Sequence, residues 1–340
     1  MAGTRSPARL ALLITIGLAL VVAGATYVIG KQSNEFVLLP DRPHPADAIV
    51  SVRGEDPRST NDGPGIYYLD VFIHRATLGE TWLAPLEGDA ERVPAEAVLP
   101  PAGSTRDLNR VGKLDVQGSK RLAALVALRA LGRKVTVTGG GVRVEVVDPA
   151  SPAHAAGLAA GMVVTGVDGK AVSSLSTLRA ILKPRKPGTP VTLSVLDGTR
   201  RRTISTRLTT SADVPGRALL GIAGQNVAPN VQLPISVRID TGNLVGPSAG
   251  LAFALEIYDS LTARKLSRGR HIAVTGTIDQ DGNVGPIGGI QGKTVGARDA
   301  GFDLMLVPMA EVGTARKHSG SHLRVVGVRT FADALAALRK

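Results

Sequence analysis

A strand, a glycine-rich turn and a helix follow one another twice in the last third of this 340-residue chain. Pro234-Ile235-Ser236-Val237-Arg238-Ile239 alternates like a strand, and a turn over 240–245 leads into Gly246-Pro247-Ser248-Ala249-Gly250. The helical stretch 249–262 then carries Leu251, Ala254, Leu255 and Tyr258 at helical spacing. In the second unit, 271–278 reads as a strand, Asp281-Gly282 as a hairpin turn, and 284–290 returns into a helix bearing Lys293. Such an order calls for an α/β (α+β) fold and offers a nucleophile in one unit and a base in the other.

Ser248 would lie at a helix N-terminus, where unpaired N–H groups and the macrodipole favour developing negative charge. Lys293 can act as a general base when burial keeps it neutral. Taken singly, Ser248 is equally an ordinary capping serine, and Lys293 a solvated surface lysine. Gly289-Ile290-Gln291-Gly292-Lys293-Thr294 also ends like a phosphate-binding loop. That motif needs glycine at 287, where Ile287 stands, and 304–307 ends in Pro308 rather than a magnesium-binding Asp.

A chain of this length holds two domains or three small ones. It contains no cysteine, which removes disulfides, thiolate zinc sites and a Cys nucleophile. No metal site and no cofactor are expected. The net charge of +12 invites nucleic acid, but aromatics make up only 3% and the basic residues are dispersed, so no nucleic-acid partner is expected.

Residues 10–29 form an uncharged run as long as the ~20 residues that span a bilayer core, with Arg5 and Arg9 before it. The expectation is a cytoplasmic N-terminus over 1–9 and a transmembrane anchor over 10–30, with the bulk of the chain extracytoplasmic. Ala23-Gly24-Ala25 offers a rival cleavage site. Residues 40–45 read as a stiff stalk, 66–73 as a strand that Trp82 and 93–99 would pack against, and 115–132 as a helix stopped by Gly132. The region 31–133 shows no chemistry of its own.

Residues 134–209 have another texture. Strand-like 142–147 runs into Ser151-Pro152-Ala153-His154-Ala155-Ala156-Gly157-Leu158, then Gly161-Met162-Val163 and Val167-Asp168-Gly169-Lys170, a helix, and two strands about Asp197-Gly198. This order resembles a PDZ domain of the bacterial protease-associated kind, with Met162 where an Asp usually stands. The resemblance implies capture of a peptide along a sheet edge. Gly139-Gly140-Gly141-Val142 is the expected carboxylate loop, since consecutive glycines let N–H groups converge on an anion. His154 carries no pattern that would make it a base.

The segments GPSAGLAFAL, AVTGTIDQDGNVGPIGGIQGK and AGFDLMLVP over 215–340 resemble the proteolytic domain of Lon peptidases. The whole order resembles membrane-anchored bacterial Lon-like proteases of the YlbL type. The resemblance implies Ser248 as nucleophile, Lys293 as general base and Thr275 as the residue supporting the lysine. It places the oxyanion among the main-chain groups of Gly246, Pro247 and Ala249, and it implies a homo-oligomer, a hexameric ring. Val245 replaces the acidic residue that often precedes the GPS triplet, and the chain shows no ATPase module. The expected function is an ATP-independent serine endopeptidase acting on unfolded or C-terminally exposed extracytoplasmic proteins. The alternative is a catalytically inactive PDZ-based envelope scaffold.

Overall fold

The computed structural model describes residues 7–54, 63–83, 91–99, 105–210, 216–262 and 265–339. Helix α1 (Pro7–Gly30) opens the chain, and from Thr15 onward its side chains are exposed, Leu20 to 68% and Tyr27 to 77%. Among the described residues no helix is long and apolar enough to cross a membrane. The first side chains of the uncharged run 10–29, like that of Trp82, lie outside the described residues.

Then come β1 (Gln32–Pro40), β2 (Gly65–Tyr68), β3 (Val71–Thr77), β4 (Glu91–Pro94) and α2 (Thr105–Ala130). β1 lies between β3 and β4 in a three-stranded antiparallel sheet. Residues 40–45, expected as a stiff stalk, are folded in: His44–Pro45 pairs with β2 at the edge of a second sheet. Proline lacks an N–H but is tolerated on edge strands, so a Pro-rich segment is not thereby excluded from a sheet. Helix α2 stops where the reading placed its end. Gly132 adopts φ +71, and the N–H groups of Gly132 and Arg133 return to the carbonyls of Arg129 and Leu128.

The middle of the chain is a five-strand antiparallel path built from β5 (Gly141–Val147), β6 (Val163–Val167), β7 (Pro190–Asp197), β8 (Arg200–Arg207) and β9 (Ile222–Val227). The order is β8-β7-β6-β5-β9, and helix α3 (Leu175–Leu182) packs near β5 and β9. Val191, Leu193 and Val195 alternate inward along β7 and meet Leu158, Leu178 and Ile204 in one core. The edge strand β9 lies beyond the expected 134–209 boundary.

Beyond β9 come α4 (Gly250–Ser260), β10 (His271–Val274), β11 (Thr277–Ile278), β12 (Val284–Gly285), α5 (Ile290–Asp299), β13 (Leu304–Pro308) and β14 (Arg324–Val328), and a helix over Phe331–Arg339 follows the last strand. Strands β2, β10, β13 and β14 form a parallel array. Residues 31–133 and 215–340, read as separate regions, therefore share a sheet, and α2 packs against α4 over one core. The middle body is inserted between α2 and the rest. α4 is apolar on nearly every face, with Leu251, Phe253, Leu255 and Ile257 fully buried, as suits a central helix.

Glu256 and Asp259 are the buried acids of that helix, and Glu256 is the deeper of the two. It is 3% exposed and accepts a hydrogen bond from Ser260 Oγ at 3.0 Å. Burial, then the negative charges of Asp259 and Asp47, push its carboxyl up to about 8, with Lys265 pulling the other way. The folded chain thus holds a proton that the unfolded chain releases above its ordinary value of 4.5. The associated stability is full below that value and is lost as pH rises through about 8. Glu256→Gln should gain stability over the wild type progressively across this window, by on the order of a few kcal/mol at its upper end, with Tm rising accordingly. Thermal melts of both proteins from pH 5 to 8.5 check it; parallel Tm curves would contradict it.

Candidate active site

Lys293 projects from the first turn of α5, whose entry residue Gly289 takes φ +68. Gly296, on the same helix, lets it lie against the chain at Asp41, where a Cβ would come within 2.1 Å of the Asp41 carbonyl oxygen. Lys293 is consequently 2% exposed. Its Nζ donates to Ser248 Oγ at 2.7 Å and reaches Thr275 Oγ1 at 3.5 Å. Burial lowers the ammonium from 10.5 to about 8, while Asp70, Glu91 and Glu311 hold it up.

Ser248 precedes α4, whose N-cap is Ala249. Two elements fix its loop. Gly276 N–H and Thr275 Oγ1 both donate to the Ser248 carbonyl, at 2.8 and 3.3 Å. From the other side, α2 takes the Gly246 N–H on the Gly112 carbonyl at 2.9 Å, and Ser119 Oγ donates to the Pro247 carbonyl at 3.2 Å. A Cβ at Gly112 would sit 2.9 Å from Val245 Cβ, so the close approach depends on glycine there.

Of the main-chain groups expected around the oxyanion, Pro247 has no N–H and Gly246 has committed its own to Gly112. Of the three, that leaves the Ala249 amide at the N-terminus of α4, with the Ser248 amide beside it.

The dyad opens into a cavity of about 940 Å³. Phe36, Leu38, Val71 and Val93 from the N-terminal sheet form one wall, and Val111 with Asp115 from α2 another. Asp70, just beyond β2, lines the same cavity. Its carboxyl is raised by burial, while the Val71 N–H and Lys293 pull it down. Sequence reasoning missed Asp70, Gly112 and Ser119. The one available signal was an acid standing alone within the apolar run 66–73.

The expected carboxylate loop falls elsewhere. Gly139-Gly140-Gly141-Val142 leads into β5, which is hydrogen-bonded to β6 on one side and along its length to β9 on the other. An added peptide strand has no room there. The edges of this sheet are β8 and β9; the one beside α3 is β9, preceded by Leu219-Leu220-Gly221 with Gly221 at φ +78. The strand that completes the sheet comes last in the chain, so a loop sought ahead of the first strand is misplaced by sequence order.

Two family models match the chain: a PDZ domain over residues 129–208 and the Lon protease (S16) C-terminal proteolytic domain over 230–335. Lon protease 2 of Herpetosiphon aurantiacus is 38% identical over 91 residues, covering 26% of this chain and 11% of that protein. Lon protease 1 of Bacillus subtilis is 41% identical over 63 residues, covering 18% of this chain and 8% of that protein. The chain thus spans about a tenth of the length of these relatives. The PDZ domain of an SdrC-like protein from Listeria monocytogenes is 28% identical, covering 26% of this chain and 92% of that one, with a TM-score of 0.24. Residues 230–335 are accordingly a segment of the Lon (S16) serine-peptidase proteolytic type, joined in this chain to a PDZ segment at 129–208.

Proposed function

We propose that this chain is a serine endopeptidase that cleaves unfolded or C-terminally exposed proteins without ATP. The observation that carries the reading is the 2.7 Å contact between a buried Lys293 Nζ and Ser248 Oγ. Neutral Lys293 takes the hydroxyl proton as Oγ attacks the peptide carbonyl, and the Ser248 and Ala249 amides receive the oxyanion. The lysine then passes that proton to the leaving amine, and water resolves the acyl-enzyme. Thr275 holds the loop and the amine together.

A peptide would add to the free edge of β9, with its terminal carboxylate at Leu219–Gly221. The exposed apolar side chains of α1 support a single-pass anchor, and Arg5 and Arg9 ahead of it support an orientation with the bulk of the chain extracytoplasmic. Carbonate-washed membranes should retain the protein, and release into the wash would contradict the anchor. Assembly into a ring belongs to the same reading and is checked by mass measurement in detergent, where a monomer would count against it.

The direct test of function is digestion of an unfolded protein by the purified full chain in nucleotide-free buffer. Fragments should accumulate with the wild type and not with Ser248→Ala. Equal fragment yield from both would refute the peptidase reading.

A further inference from the structure

The middle body does not merely hang from the catalytic one. Its helix α3 begins in a run of hydroxyls, Ser173, Ser174, Ser176 and Thr177, with Ser174 as N-cap. These face the tip of the β11–β12 hairpin of the catalytic body, which carries Asp279 and Asp281. Ser173 and Thr177 donate to Asp281 Oδ2, and Ser176 donates to Asp279 Oδ2. Asn283 Nδ2 completes the contact by donating to Ser176 Oγ at 3.3 Å.

Each end of this clamp leads somewhere. On the far side, the Leu175 N–H donates to Asn226 Oδ1 at 2.6 Å, which ties the first turn of α3 across to the edge strand β9. An extended peptide laid along β9 has to pass between these two groups, and so has to displace that bridge. On the near side, β11 begins at Thr277, which lines the catalytic cavity. The preceding two residues, Thr275 and Gly276, are those that hold the Ser248 carbonyl. The path from the peptide edge to the nucleophile loop is therefore one helical turn and one short hairpin.

We infer that Asp279 and Asp281 are positioning residues that couple peptide occupancy beside β9 to the wall of the catalytic cavity. The PDZ segment then regulates turnover and does not only deliver substrate. The Ser248–Lys293 contact is already made without a peptide. What the clamp sets is the position of Thr277 and the Thr275–Gly276 support. This inference rests on the peptidase reading above.

The test uses the full chain, a C-terminally amidated fluorogenic peptide as substrate, and an apolar pentapeptide with a free carboxylate as effector. The amidated pentapeptide is the control. In the wild type the free-acid effector should change kcat for the amidated substrate about fivefold or more, the ordinary scale of site coupling. Asp279→Asn combined with Asp281→Asn should bind the effector and lose the change. So should Ser173→Ala combined with Ser176→Ala and Thr177→Val, which removes these three donors from the other side.

An effector that merely competes for the cavity raises KM in wild type and variants alike, and that result overturns the inference. So does failure of the effector to bind, or an unchanged kcat at saturation. Amide hydrogen exchange over 277–285, with and without effector, reads the link without turnover. Altered exchange in a chain that cleaves nothing would sink the peptidase reading and leave the coupling standing. Unaltered exchange and rate in an active enzyme would do the reverse.

Discussion

Lys293→Met and Ser248→Ala should each lower kcat on a short fluorogenic peptide by about 10³-fold or more, and the double variant should be no worse than either alone. The non-additivity follows from geometry. Ser248 Oγ has its proton taken by the one amine 2.7 Å away, so removing either group removes the same step. KM should change little, because the cavity walls come from β1, β3, β4 and α2 rather than from the dyad. Methionine fills much of the volume vacated by the lysine stem without bringing a charge, so loss of activity with an unchanged Tm would isolate the chemistry. Independent, additive losses in the two single variants would argue against a shared proton transfer.

The second large effect is on pH. The lysine must be neutral to accept a proton, and its ammonium lies at about 8 in the folded chain. Activity should therefore rise about tenfold per pH unit up to that value and level off above it. Asp70 is the carboxylate that most opposes the effect of burial on Lys293. Asp70→Asn removes a negative charge, disfavours the ammonium further and should move the rising limb to lower pH. Steady-state kcat/KM for both proteins between pH 5.5 and 9.5 decides it. A limb that stays in place, or moves up, would mean that Asp70 does not act on the amine.

The dyad was legible because its two residues stand in short glycine-marked segments whose local geometry is set by immediate neighbours. Gly289 fixes the start of α5, and the Gly246-Pro247 turn precedes α4. The PDZ core was legible for a similar reason, since Val191, Leu193 and Val195 alternate in the sequence as they do in the sheet. Long-range parallel pairing leaves no such trace. Nothing local in Ile66-Tyr67-Tyr68 says that it pairs with Ile272-Ala273-Val274 across an inserted domain. The separation of 31–133 from the catalytic body failed on that point, and with it the roles of Asp70, Gly112 and Ser119. The expected carboxylate loop leads into an inner strand because a run of three glycines is a strong local signal, whereas a free edge is a property of the whole sheet. The hydroxyl-rich start of α3 read simply as the beginning of a helix, and Asp281 as part of a hairpin turn. Both readings hold locally, and only the folded chain brings the two together.

If Lys293 activates Ser248, covalent labelling of the serine must depend on the lysine. The full chain is treated with a serine-directed acylating probe at pH 8.5, and the adduct is located by peptide mass mapping. A single adduct on Ser248 is expected, formed more slowly as pH falls below about 8 and absent from Lys293→Met. An adduct elsewhere, or one on Ser248 that forms equally fast in Lys293→Met, would contradict it.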